Sequence, residues 1–291
     1  ILLGQLVGHV AQGRRVLGQQ LVVGDQDIIP FATHQVPWLG PRPFDFDRSG
    51  RWDERREQSE DRFRRVIDVG IAQQVDIFVI AGDFFDNARV SEETLHFAAE
   101  QIARIEVPTV IVPGNHDHVG KNSVYDRIDL TSIAQNLTIT RSVEGETVSF
   151  EGLDLELWAR SHLEHDPDFS PFIDAPGRGD APWHIAVGHG HYWHPRSGDH
   201  PSFHIREAHF TSLDYDYVAL GHWEQQTRIA AGDLLAAYSG APDGHASILG
   251  ESGRVLVADF QREGTVRLTS HPLDEGARVL SHDEIPFLQG S

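Results

Sequence analysis

The chain has no cysteine, no methionine and a single lysine, Lys121, among 291 residues. The absence of thiols excludes disulfides, thiolate metal sites and cysteine nucleophiles. Any metal must therefore sit on histidine, aspartate, asparagine or glutamate. With lysine nearly absent, positive charge falls to arginine, and the net charge is −20. That balance opposes non-specific nucleic-acid binding, which needs a basic face, although a bound metal or a local arginine patch reverses the field locally. No apolar run is long enough to span a bilayer. No segment combines a basic start, an apolar middle and a small-residue cleavage site, as a secretory signal would. A cytoplasmic protein is the expectation.

The length suits one large core with an appendage, or two small domains. Residues 1–30 form an atypical N-terminal segment, rich in Gln, Gly and Val, with one apolar run at Leu21-Val22-Val23. Residues 31–272 read as the main domain and 273–291 as a C-terminal tail. Phe63, Val66, Ile67, Gly70 and Ile71 recur at helical spacing, so a helix is expected over 57–74, feeding a buried strand at 75–81. Ser91 can cap a second helix with Glu92 and Glu93 in its first turn, where acidic groups suit the dipole. Leu95, Ala98, Ala99 and Ile102 supply its apolar stripe, and a second buried strand follows at 107–112. This alternation argues for an α/β layer. Beyond residue 137 the chain turns β-rich. Short strands are expected at 137–140, 147–150, 153–158, 234–238, 254–260 and 265–269. The runs His184–Val187 and Tyr217–Leu220 read as buried strands, each ending in Gly-His, while Pro195 to His209 has no clear pattern.

Four short motifs punctuate this pattern: Gly82-Asp83-Phe84-Phe85-Asp86, Gly114-Asn115-His116-Asp117, Gly188-His189-Gly190-His191 and Gly221-His222-Trp223. Each follows a buried-strand run. Asp83, Asn115 and His116 are thereby expected at the carboxyl ends of neighbouring strands, the edge at which open α/β sheets bind ligands. A Gly-Asp alone is often just a turn with an Asx hydrogen bond. Four such pieces in this order point instead to one oxygen-and-imidazole metal site, suited to Mn, Fe or Zn.

The ordered set resembles the calcineurin-like metallophosphoesterases, and within them most of all the Mre11/SbcD nuclease branch. The run Asp216-Tyr217-Val218-Ala219-Leu220-Gly221-His222 and the later Tyr238-Ser239-Gly240-Ala241-Pro242 add to the likeness, which covers roughly residues 40–260. The resemblance implies an α/β fold: a four-layer α/β/β/α metallophosphoesterase sandwich, with two mixed sheets face to face and helices outside. It implies a hydrolase that cleaves phosphoester bonds with a metal-activated water, at two divalent ions about 3.5–4 Å apart. Asp83 would be the bridging carboxylate, and Asn115, His189 and His222 would complete one ion's shell. His116 would touch the transferring phosphoryl group or protonate the leaving oxygen, with Asp86 orienting its ring. The expected metal is Mn, with Fe, Zn or Mg as alternatives. DNA phosphodiesters are the expected substrate, cleaved as by a DNA-repair exonuclease or endonuclease, with a homodimer and an SMC-like ATPase as the partners that branch implies. A small-molecule phosphodiesterase or phosphatase is the runner-up and suits the acidic composition. From another class comes a non-catalytic binding module that keeps one metal.

Departures from the family pattern fall on one metal. The family opens with Asp-x-His after its first strand, and alignment over Phe31–Gly40 puts Val36 and Trp38 at those positions. The family's closing Gly-His-x-His here reads Gly221-His222-Trp223-Glu224, so Glu224 stands where a second histidine is expected. Three readings stay open. Glu224, with His34, Asp45 or Asp47, forms an unusual first site; or the chain is a weakened relative kept for binding; or the segment ahead of Leu39 is not the native one, as an upstream frame error would produce. His191 also matches a Gly-His-x-His pattern but is expected in the pocket wall. His118, His194, His200, His204 and His209 are expected mostly in solvent. The segment after Pro272 is short, so no C-terminal DNA-capping domain is expected within the chain.

Overall fold

The computed structural model describes residues 19–24, 51–86, 88–194, 203–242, 253–261 and 264–289. In chain order, β1 (Gln19–Gly24), α1 (Arg51–Gln73), β2 (Ile77–Ala81), α2 (Glu92–Arg104), β3 (Thr109–Val112), α3 (Leu130–Ile133) and β4 (Leu137–Ile139) build the first half. The second half comprises β5 (Glu146–Phe150), β6 (Leu155–Ala159), β7 (Trp183–His189), β8 (His191–Tyr192), β9 (His204–Ile205), α4 (Glu207–Thr211) and β10 (Tyr217–Gly221). It closes with β11 (Thr227–Ala231), β12 (Leu234–Tyr238), β13 (Arg254–Phe260), β14 (Val266–Pro272) and β15 (Phe287–Gln289).

Two mixed sheets result, as the resemblance implies. One has the order β14-β13-β1-β2-β3-β4, the other β15-β11-β12-β10-β7-β6-β5. Alternation along the strands sorts the core into layers. Phe78 and Ile80 of β2 face α1 and α2, meeting Phe63, Val66 and Ile67 of the first helix and Leu95, Ala98 and Ile102 of the second. Ile77, Val79 and Ala81 face the other way and meet Ile185, Val187, Tyr217 and Ala219 between the sheets. The outer face of the second sheet buries Trp158, Ala186, Val218 and Leu220 against Tyr192, Ile205 and Phe210. Its cover includes the β8–β9 ribbon and the five-residue α4, so among the described residues this outer layer holds less helix than the first.

The first helix is longer than expected, because residues 51–56 extend it toward the N-terminus. Ser91 caps α2 as expected, accepting a hydrogen bond from Thr94 N. Two strands lie outside the span 31–272. β1 runs parallel to β2, with Gly24 opposite Ile80, and β15 runs parallel to β11. The strand flanking β2 is therefore Gln19–Gly24, and the Phe31–Gly40 segment used to place Val36 and Trp38 lies outside the described residues, as do His34, Asp45, Asp47 and His200.

Candidate metal centre

All four motifs meet at the carboxyl ends of β2, β3, β7 and β10. Register brings them level: Ala81 lies opposite Val112 in the first sheet, and Gly221 opposite His189 in the second. Ile185, Val187 and His189 share the inter-sheet face, so the strand period itself aims the His189 ring across to the first sheet. There His189 Nδ1 donates to the Ala81 carbonyl at 2.9 Å. A carbonyl only accepts, so the proton is on Nδ1 and Nε2 points into the cleft.

Three atoms surround that Nε2. Asp83 Oδ2 lies 3.1 Å away, Asn115 Oδ1 3.1 Å and His222 Nδ1 3.3 Å. Ligands about 2.0–2.2 Å from a common divalent ion sit roughly 3–3.5 Å apart. Two oxygens and two imidazole nitrogens at that spacing fit a metal of the Mn, Fe or Zn type. Asp83, His189 and His222 have ligand atoms within 4.8 Å of one another, and among the described residues no other three His, Asp or Glu side chains form such a group. Burial pushes the Asp83 carboxyl upward, but His189 and His116 outweigh it and hold it well below the usual carboxylate range. Asp83 thus presents a full negative charge in a buried site, which a cation would compensate.

The backbone around this cluster is tight and unusual. Asp83 has φ +48° and His222 φ +106°, both in the region that residues other than glycine seldom occupy. At Gly82 (φ +88°) a Cβ would lie 2.2 Å from His189 Nδ1, and at Gly114 one would lie 2.3 Å from Asp83 Oδ1. Both motif glycines are therefore demanded by close approach, beyond any turn preference. Asp117 ties the two loops. Its carboxylate accepts from the backbone N–H groups of Asp83, Phe84, Phe85 and Gly114 and from the Tyr125 hydroxyl. Burial, then the neighbouring Asp83, raise the Asp117 carboxyl above its ordinary value, with these donors, led by Tyr125, opposing the rise only in part.

His116 and Asp86 form a pair at the rim. His116 Nδ1 lies 3.3 Å from Asp86 Oδ1, with the Asp86 side chain buried and that of His116 37% exposed. The His116 backbone N–H also donates to Asp83 Oδ1 at 2.9 Å, so one residue contacts the carboxylates of both Asp83 and Asp86. His191 is buried and accepts a hydrogen bond from Trp223 Nε1 at 2.9 Å. Glu224 lies outside this cluster: it is exposed, and its carbonyl accepts from Ala241 N.

Two histidines that motif reading passes over belong to this neighbourhood. His162 is fully buried and donates from Nε2 to the His189 carbonyl at 2.9 Å. Burial, then His189, pushes its pKa down to about 3, so it is neutral. His165 Nδ1 lies 3.3 Å from Asn115 Nδ2. The available signal was position: both follow β6, the neighbour of β7, at the same sheet edge.

The model of the family described as calcineurin-like phosphoesterase matches residues 27–225, more than half of the chain. The chain belongs to that family. The family is named for metal-dependent phosphoester hydrolysis. It is 27% identical over 203 residues to the uncharacterized metallophosphoesterase YhaO of Bacillus subtilis, covering 67% of this chain and 48% of YhaO. It is 28% identical over 184 residues to the DNA double-strand break repair protein Mre11 of Methanopyrus kandleri, covering 58% of this chain and 40% of that protein. The chain thus spans about half or less of these curated relatives. Among solved structures, the fold is similar to TT1561 of Thermus thermophilus, with a TM-score of 0.54 at 9% identity over 88% of this chain and 100% of that one. A dimetal phosphatase from Danio rerio gives a TM-score of 0.52 at 10% identity, over 91% of this chain and 99% of that one. Among the described residues no helix is long and apolar enough to cross a membrane.

Proposed function

We propose that this phosphoesterase hydrolyses phosphodiesters, with DNA as the first substrate class, at a metal held by Asp83, Asn115, His189 and His222. The observation that carries the proposal is the convergence of Asp83 Oδ2, Asn115 Oδ1 and His222 Nδ1 on His189 Nε2 at 3.1–3.3 Å. When bound, a divalent ion, with Mn favoured, supplies a Lewis acid that polarises a phosphoryl oxygen and makes water nucleophilic near neutral pH. The protein's own groups do the rest. Asp83 carries the charge that holds the cation, and Asn115 contributes a neutral carbonyl that adds no further repulsion against an anionic substrate. His116 stands at the rim, where its partly exposed ring can hydrogen-bond a phosphoryl oxygen or give a proton to the leaving oxygen. Asp86 keeps that ring in one orientation. No side chain need form a covalent phosphoenzyme, because water attacks in line.

Similarity to the Mre11 protein supports DNA. A second reading, a small-molecule phosphodiesterase, is favoured by the net charge of −20 and the single lysine, which leave little to bind a polyanion. A substrate panel separates the two. Mn-loaded protein is incubated with end-labelled single- and double-stranded oligonucleotides, bis(p-nitrophenyl) phosphate and p-nitrophenyl phosphate. Cleavage of oligonucleotides at submicromolar enzyme supports DNA. Rapid diester hydrolysis with intact oligonucleotides supports the small substrate. Preference for the monoester overturns the phosphodiesterase assignment.

A further inference from the structure

We infer that His165 is a positioning residue that sets which end of the Asn115 amide faces the metal; this rests on the metal-site reading above. The oxygen and nitrogen of a side-chain amide are nearly the same shape, yet only the oxygen can ligate a cation. Asn115 Oδ1 sits 3.1 Å from His189 Nε2. With its Nδ1 proton held by the Ala81 carbonyl, His189 turns Nε2 toward the site as the nitrogen that can ligate a cation. Turned over, the amide would put its N–H group in the ligand position, where it offers a cation no lone pair. His165 opposes that flip from the other side. Its Nδ1 lies 3.3 Å from Asn115 Nδ2 and accepts the amide N–H, so the oxygen stays directed at the cleft.

The segment that carries His165 is itself anchored. Three residues earlier, His162 donates to the His189 carbonyl. The His165 ring meets the Phe203 ring edge-on at 5.0 Å, and Phe203 N donates to the Pro167 carbonyl. Phe203 also packs edge-on against His162 at 5.0 Å and His222 at 5.7 Å. The chain after β6 therefore supports Asn115 through a side chain and His189 through its backbone. Outer partners of this kind typically change metal affinity by about 10–100-fold when removed.

The test is calorimetric titration of the full chain with Mn chloride, comparing parent, His165→Leu and His165→Asn. Leucine keeps apolar bulk without an acceptor, while the asparagine carbonyl can take the place of imidazole Nδ1. The expected result is Mn affinity about tenfold weaker in His165→Leu, restored to within roughly threefold in His165→Asn, with metal-free thermal midpoints matching the parent. In an Asn115→Ala background, His165→Leu should cause no further loss, because the coupled partner is gone. Parental affinity in His165→Leu, equal loss in both variants, or a loss that persists without Asn115 would each overturn the assignment. Asp83→Asn serves as the control for the site itself: if it leaves parental Mn affinity intact, the metal reading fails, independently of His165.

Discussion

Two loops at the same sheet edge, 188–191 and 221–224, share a Gly-His start and diverge in everything after it. His189 ends a strand, is fully buried, and has its ring fixed by a hydrogen bond to Ala81 of the opposite sheet. His222 lies one residue beyond its strand, half-buried, with φ +106°. The residues two further on also differ. His191 is buried and accepts from Trp223, whereas Glu224 is exposed. Parallel strands in register thus yield one histidine that is preorganised by the core and one held by a loop with positive φ. A motif places a residue at the edge; strand alternation and the facing sheet decide how firmly it is held.

The largest effect should come from the carboxylate both loops serve. Asp83→Asn keeps the shape and removes the charge that a buried cation needs. Turnover of a diester substrate should fall by at least about 10³-fold, with Mn binding weakened in parallel and the metal-free fold retained. His116→Ala should leave Mn binding within a fewfold of the parent while cutting turnover by roughly 10²–10⁴-fold, the usual range for a lost general acid or base. If His116→Ala instead removes the metal, the rim role assigned to His116 is wrong.

The comparison between the loops breaks or holds on a paired measurement. His189→Ala should weaken Mn affinity by more than about 100-fold and lower thermal stability, since it removes a buried ring along with its bond to Ala81. His222→Gly should weaken Mn affinity less, by roughly tenfold. It should also leave metal-free stability unchanged or raise it by about 1 kcal/mol, because glycine relieves the positive φ. Equal losses in affinity and stability would show that burial and strain do not distinguish the two ligands.

Much of this was legible in the sequence because it depends on local signals. The stripe Leu95, Ala98, Ala99 and Ile102 gives α2, Ser91 marks its start, and continuous apolar runs give β2, β3, β7 and β10. The motif residues fall where strand ends put them. What was hidden depends on contacts between distant segments. The β8–β9 ribbon pairs only two residues on each side, too few for a period to register. β11 is written Thr-Arg-Ile-Ala-Ala and β15 Phe-Leu-Gln, neither of which stands out without a partner strand. β1 was noticed as an apolar run, but its place beside β2 comes from pairing, not composition. The roles of Asp117, Tyr125, His162 and His165 are likewise interactions across loops, invisible to spacing.

The smallest expected effect concerns the residue where the family pattern and this chain part. In Gly221-His222-Trp223-Glu224, Trp223 is locked in place by stacking on Tyr238 at a centroid distance of 4.4 Å and by its hydrogen bond to His191. That fixes the backbone, and with it the outward course of the next side chain. Glu224→Gln removes the charge and keeps the size, so the first equivalent of Mn should bind within about twofold of the parent, as for an exposed group outside the ligand set. Titration to higher Mn then asks whether a second equivalent exists. If it does and Glu224→Gln weakens it, Glu224 moves to ligate a second ion that the exposed rotamer does not reach. If a second equivalent binds equally well in both proteins, its ligands lie elsewhere in the chain. One equivalent in both would mean that a carboxylate in the closing motif does not replace histidine, and that the chemistry of this chain runs on the cation held by Asp83, Asn115, His189 and His222.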